Sequence, residues 1–177
     1  MSRIKILSLA LLASLAAPLV AQAQDASQPI RIQANSATLD DRKNTAVYTG
    51  NVIITQGSMR LTGGRVTLSL NDAGEVQKLV SNGSPATFRQ TPADGKQVDA
   101  HALTIEYHAD TERVVLIQDA FLEQAGNTFQ GQRVNYDIRQ QVVNAGATNA
   151  DGETPERIEI VIQPRNRTEP ATNDDET

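Results

Sequence analysis

The chain contains no cysteine, no tryptophan and only six aromatic residues, three Phe and three Tyr, in 177 residues. Without cysteine there is no disulfide framework, no thiolate nucleophile and no acceptor for a lipid anchor. Stability must then come from packing and sheet hydrogen bonds. With few rings, the core must be drawn from Val, Ile, Leu and Ala. Positive charge is also scarce: 16 Lys and Arg face 21 Asp and Glu, for a net charge of −5. That balance argues against nucleic acid as a partner, because phosphate backbones call for a basic surface. After residue 23 there is no stretch of ten residues with a helical apolar stripe.

The first residues read as a leader. Ser2-Arg3-Ile4-Lys5 is a small basic region, residues 6–20 are apolar and rich in Leu and Ala, and Ala21-Gln22-Ala23 is an A-x-A cleavage site. The apolar run falls short of the ~20 residues that span a bilayer. Removal of residues 1–23 leaves 154 residues and, with Arg3 and Lys5 gone, a net charge of −7. An exported, disulfide-free chain fits a bacterial periplasm. Residues 24–165 then form one domain. Residues 166–177, polar and acidic at the end, are expected to be a disordered tail.

From residue 29 to 143 the hydrophobic period is two almost everywhere. Val66, Leu68 and Leu70 alternate with Arg65, Thr67 and Ser69, and Val134, Tyr136 and Ile138 with Asn135, Asp137 and Arg139. Each run buries one face and wets the other. Turn clusters separate the runs: DDRKN at Asp40, NDAG at Asn71, SNGSP at Ser81, TPADGK at Thr91, ADTE at Ala109, AGN at Ala125 and NADGETP at Asn149.

The pattern repeats four times. Ile32, Leu61, Val98 and Phe129 align, at spacings of 29, 37 and 31. Two residues on stand Ala34, Gly63, Ala100 and Gly131, where a strand is expected to bend. Next come Ala37 and Leu39, Val66 and Leu68, Leu103 and Ile105, Val134 and Tyr136, then a turn and a second strand. The second strands are expected at Thr45–Gln56, 74–90, Arg113–Gln124 and 141–147. Each repeat reads as a long hairpin-like unit of three or four short strands. Such a unit cannot bury its apolar face alone and stacks on the next copy. Stacked, bent strands predict an all-β sandwich or flattened jelly roll, with a parallel β-helix as the alternative. A last strand, RIEIVIQP from Arg157, points Ile158, Ile160 and Ile162 one way.

Catalytic chemistry is hard to place. His101 and His108 have an odd separation, which puts them on opposite faces of one extended strand or on strand and turn. Asp40-Asp41 and the NDAGE stretch read as turns, the latter lacking the calcium-loop pattern. TGGR at Thr62 has no following helix, and Ser84 lies outside any G-x-S-x-G elbow. No triad, metal site or cofactor site is nominated, and no enzyme activity is expected. What stands out is the apolar inner face itself. Its sheet must also end in two edges with unpaired N–H and C=O groups, which invite edge-to-edge pairing.

Residues 28–66, QPIRIQANSATLDDRKNTAVYTGNVIITQGSMRLTGGRV, closely resemble the amino-terminal half of the OstA/LptA family of periplasmic lipopolysaccharide-transport proteins. GSPATFRQ at Gly83 and VDAHALTIEY at Val98 resemble the family's later repeats. The resemblance implies an open, twisted antiparallel β-jelly roll and no catalysis. It implies a bridge between an inner-membrane transport complex and an outer-membrane translocon, each carrying a related domain, with copies joined head to tail. Lipopolysaccharide acyl chains would run in an apolar groove. Ile30 and Ile32 match the groove near the joint with the inner-membrane partner. The remaining groove candidates are Leu39, Val52, Ile54, Leu61, Val66, Leu68, Phe88, Leu103, Ile105, Val115, Leu122, Phe129, Val134 and Tyr136. Arg31, Arg60, Arg65 and Lys78 are candidates to meet lipid phosphates at the groove mouth, against a plain solvated surface. Two other functions share parts of this pattern. One is a generic periplasmic lipid carrier without edge pairing. The other is a structural module that pairs edges but binds no lipid.

Overall fold

A computed structural model describes residues 25–146 and 157–164. The expected leader, the tail from residue 166 and the NADGETP cluster lie outside the described residues. After one 3-10 turn at Asp25–Ser27 come ten strands: β1 (Arg31–Gln33), β2 (Ser36–Asp40), β3 (Thr45–Gln56), β4 (Met59–Leu70), β5 (Val76–Gln90), β6 (Val98–His108), β7 (Arg113–Gln124), β8 (Asn127–Asp137), β9 (Val142–Ala145) and β10 (Glu159–Val161). They form one sheet in the order β1-β3-β4-β5-β6-β7-β8-β10, with β2 also on β3 and β9 also on β8. Every pairing is antiparallel. That excludes the parallel β-helix and agrees with the expected all-β antiparallel class.

The pairings of the six long strands all break register along one line across the sheet, and β4–β5 shifts once more at Ser69/Leu70. The aligned breaks form a crease. Gly50 and Asn51 supply positive φ there on β3, and Gln118 and Asp119 on β7. At Gly63 the backbones come so close that a Cβ would overlap the Ser81 hydroxyl. SNGSP, read as a turn, lies inside β5 at this crease. A strand that must bend there uses the same small, polar residues as a turn.

The crease folds the sheet onto itself. Gln124 ends β7, and Tyr136 on β8 pairs with Val114, ten residues earlier on β7. In a straight pair that is roughly 33 Å. Yet Gln124 Nε2 donates to the Tyr136 hydroxyl at 3.3 Å. The two half-sheets therefore face each other. One, the β1 layer, comprises β1, the rim-side halves 52–56, 59–62, 86–90, 98–101, 120–124 and 127–131, and β10. The other, the β2 layer, comprises β2, the other halves and β9. Each repeat is thus two creased strands, or four short halves.

The inner residues form rows that run lengthwise across the strands. In the β1 layer the row is Ile32, Ile54, Leu61, Phe88, Ala100, Leu122, Phe129 and Ile160. In the β2 layer one row is Ala37, Tyr48, Val66, Ser81, Ile105, Leu116, Val134 and Ala145. The other is Leu39, Ala46, Leu68, Leu79, Tyr107, Val114, Tyr136 and Val143. Residues of both layers share one buried cluster. The rows also correct the repeat alignment. The third repeat is slipped by two residues: Ala100 stands where Val98 was aligned, and Ala102, Ile105 and Tyr107 replace Ala100, Leu103 and Ile105. Outside the bulge at Leu103, a slip of two leaves each side chain on the same face, so periodicity does not detect it.

Candidate functional site

The site is the space between the layers and the mouth where their free rims meet. Val52, Ile54, Leu61, Val66, Leu68, Phe88, Ile105, Leu122, Val134 and Tyr136 are buried in the shared cluster, and Ile30, Ile32 and Phe129 pack against it half-buried. Three predicted groove residues stand elsewhere. Leu39 has the inward register but lies on the edge strand β2, 67% exposed, because no strand covers it. Leu103 falls in the β6 bulge and is 37% exposed. Val115 faces outward between Glu106 and Asn135, while Val114 and Leu116 take the inward places. In a run of three apolar residues, period two does not say which of them faces in.

The interior holds more rings than composition suggested. Tyr48, Phe88, Tyr107, Phe129 and Tyr136 all stand in inner rows. Only Phe121 faces out, stacked on His101 at 4.9 Å and 14°. The β6 bulge also resets the strand's parity, so His101 and His108 both lie on outer rows rather than on opposite faces. The three tyrosines sit in the β2 layer. Burial pushes the Tyr107 and Tyr136 hydroxyls up to about 12.

At the mouth, three second strands end alike: β3 in Gln56, β5 in Gln90 and β7 in Gln124. Gln56 Nε2 donates to the Gln28 carbonyl at 3.1 Å, and Gln90 Nε2 to Asp25 Oδ2 at 2.8 Å. Asp25 is itself held by the Ser58 backbone N–H at 2.8 Å and by the Ser58 hydroxyl. The 25–28 segment is thereby tied along this rim. The rims also meet directly. Gln124 reaches Tyr136, and the Asp94 carboxyl is held below the usual carboxylate range by hydrogen bonds from Lys96 and, from the opposite rim, Gln141. Next to Ile30 a cavity of about 420 Å³ opens between the rims, lined by Gln28, Gln56, Val76, Tyr107, Ala109 and Asp110 among others. Alternation gives these glutamines no special mark. Their equivalence emerges only once the second strands are set in register.

Outside this rim, one step from the mouth, runs the row Arg31, Thr55, Arg60, Arg89, Asp99, Glu123, Thr128 and Val161. Arg31 and Arg60 therefore lie at the mouth, joined by Arg89, which the sequence reading passed over. Arg89 is ion-paired with Asp99, and a cavity of about 320 Å³ lies between Arg60, Arg89 and His101. Arg65 stands at the crease, away from the mouth. Lys78 lies on the outer side of the opposite rim and pairs with Glu106 at 2.9 Å. RIEIVIQP contributes β10, which adds to the β8 edge through Glu159, Ile160 and Val161.

The model of the family described as LptA/(LptD N-terminal domain) LPS transport protein matches residues 31–142. The lipopolysaccharide export system protein LptH of Pseudomonas aeruginosa is 48% identical over 146 residues, covering 81% of this chain and 83% of LptH. The lipopolysaccharide export system protein LptA of Escherichia coli K12 is 33% identical over 165 residues, covering 90% of this chain and 89% of LptA. A crystal structure of the Pseudomonas aeruginosa LptH, described as the LptA homologous periplasmic component of the conserved lipopolysaccharide transport device, matches with a TM-score of 0.73 and 46% identity. It covers 80% of this chain and 100% of that one. The creased antiparallel sheet and these likenesses agree: the chain belongs to the LptA/(LptD N-terminal domain) family of lipopolysaccharide transport proteins.

Proposed function

We propose that the chain, freed of its leader after Ala23, is a periplasmic carrier of lipopolysaccharide rather than an enzyme. It passes the lipid from an inner-membrane transport complex towards an outer-membrane translocon. The observation that carries this reading is the set of three inner rows, largely apolar and running from edge to edge. A row of aliphatic side chains and rings with little polar interruption offers an acyl chain many similar sites, so sliding along it costs little. The gain over water is large. At about 0.8 kcal/mol per buried methylene, a 12-carbon chain is held by on the order of 10 kcal/mol. The rows are closely packed, with Ile54, Leu61 and Leu122 fully buried, so loading parts the two layers about the crease. Headgroup sugars stay outside the mouth. Arg31, Arg60 and Arg89 meet the phosphates there, while Arg65 stands at the crease and Lys78 is tied to Glu106.

The same rows support end-to-end joining of copies or related domains. Of the seven large hydrophobics that are exposed among the described residues, Leu39 lies in β2, Val142 in β9, Ile160 and Val161 in β10, and Ile158 and Ile162 flank β10. β10 makes the two layers end flush, and both C-terminal edges then run in the direction that accepts β1 and β2 of a next copy antiparallel. In that joint Ile160 meets the neighbour's Ile32 and Val143 meets its Leu39, so the inner rows continue.

The test mixes the purified full chain with lipopolysaccharide in detergent-free buffer and separates bound from free by size. Co-migration of lipopolysaccharide, with phospholipid much weaker, is expected. Equal retention of phospholipid would favour a general lipid carrier, and retention of neither would overturn the reading.

A further inference from the structure

Among the described residues the buried polar side chains are Gln56, Ser81 and Gln90. Ser81 donates to the Thr62 carbonyl at 2.9 Å, and Gln56 to the Gln28 carbonyl. Gln90 differs. Its Nε2 donates to Asp25, while its Oε1 is buried with no hydrogen-bond partner. The orientation of this amide is forced. A carboxylate only accepts, so the Nε2 must face Asp25 and the oxygen must face away from it. Asp25 cannot swing to change this, because Ser58 holds it by two hydrogen bonds. A buried acceptor left unpaired is costly and rare, and such atoms mark places where a partner belongs.

The position says what kind of partner. Gln90 is the last residue of β5 on the inner face, in the rim row with Val98 and Gln124. Two residues back on the same face is Phe88, in the middle of the β1-layer row. Between them Arg89 points to the outer side of the rim. An acyl chain lying along the Phe88 row turns out of the groove past Gln90, and its headgroup lies beside Arg89. The atoms that pass Gln90 are those linking chain to headgroup.

We propose that Gln90 Oε1 is the acceptor for a hydrogen-bond donor at the polar end of the acyl chain, an amide N–H or a chain hydroxyl beside the carbonyl. This rests on the carrier reading above and refines it, making the mouth selective for donor-bearing acyl linkages over plain esters. Asp25 is the positioning residue that keeps the oxygen turned away from itself.

The test compares three lipids of one headgroup and one chain length: ester-linked, amide-linked, and ester-linked with a 3-hydroxyl. Each is titrated into the wild-type full chain and into Gln90→Leu. The expected result is that the wild type binds a donor-bearing lipid about tenfold more tightly than the plain ester. Gln90→Leu should still bind the ester and lose the preference. Asp25→Ala should weaken the preference without removing ester binding. Preference in the amide arm alone assigns the N–H, and in the hydroxyl arm alone the hydroxyl. Gln90→Met, closer in shape, replaces the Leu variant should that variant lose ester binding. Equal binding of all three lipids by the wild type, or an undiminished preference without Gln90, would overturn the proposal while leaving the carrier reading intact. Binding of no lipid by the wild type would instead remove the carrier reading and this proposal with it.

Discussion

Ile32 and Ile160 stand at opposite ends of one cross-strand row, Ile32 paired to Ile54 on β3 and Ile160 to Phe129 on β8. Between them every place in the row is apolar. Neither end is capped by a charged inner residue, the usual device for blunting a sheet edge. Replacing Ile160 and Leu39 together by Lys should therefore abolish end-to-end association. Both are exposed, so the monomer's stability should change by no more than about 0.5 kcal/mol each. Sedimentation at rising concentration would read the first effect, and thermal unfolding of dilute protein the second.

The mouth should be closable. The chain has no cysteine, so Asp94→Cys with Gln141→Cys introduces one possible disulfide between the rims. Oxidation should lower lipopolysaccharide binding at least tenfold, and reduction should restore it. Binding unchanged by oxidation in a verified cross-linked protein would mean that the layers need not part.

Arg60 and Arg89 face each other directly across β4 and β5. Like charges so placed repel; Asp99 already meets Arg89, and a further anion beside Arg60 completes the compensation. Arg60→Gln should lower affinity for lipopolysaccharide severalfold at low salt and flatten its salt dependence. Arg65→Gln, at the crease, should do neither.

Glu106 gives a pH dependence with a definite sign. Burial pushes its carboxyl up, but the hydrogen bond and charge of Lys78, with His108, outweigh this and leave it below 4.5. Stability from this group is present above pH 4.5 and is lost as pH falls through the lowered folded value. Glu106→Gln should remove that component, with a cost below about 1 kcal/mol at neutral pH because the pair is partly exposed. Denaturant midpoints of the two proteins should converge on acidification.

Much of this was legible in the sequence. Thr45–Gln56 and Arg113–Gln124 are the second strands as alternation placed them. The bend at Gly63 followed from its size. The failures share a cause: period two reports the face of a residue, not its register. It could not see the two-residue slip at Val98, the parity reset at Leu103, or which valine of Val114-Val115-Leu116 faces out. A direct check is Val114→Thr, which puts a hydroxyl in the core and should cost about 1–3 kcal/mol. Val115→Thr should cost less than Val114→Thr: Val115 is also buried, 4% exposed, but it lies on the outer face in register with Glu106, whose carboxylate can accept from the new hydroxyl.

The central claim is that the buried rows are a path for acyl chains. The most direct measurement places a photo-crosslinking residue at Ile54, at Leu68 and, as an outward control, at Thr67, which pairs with Val47 and Val80 on an outer row. Each variant is then irradiated with lipopolysaccharide. Adducts at Ile54 and Leu68 but not at Thr67 are predicted. No adducts at the inner positions of folded protein, or equal adducts at all three, would contradict the account.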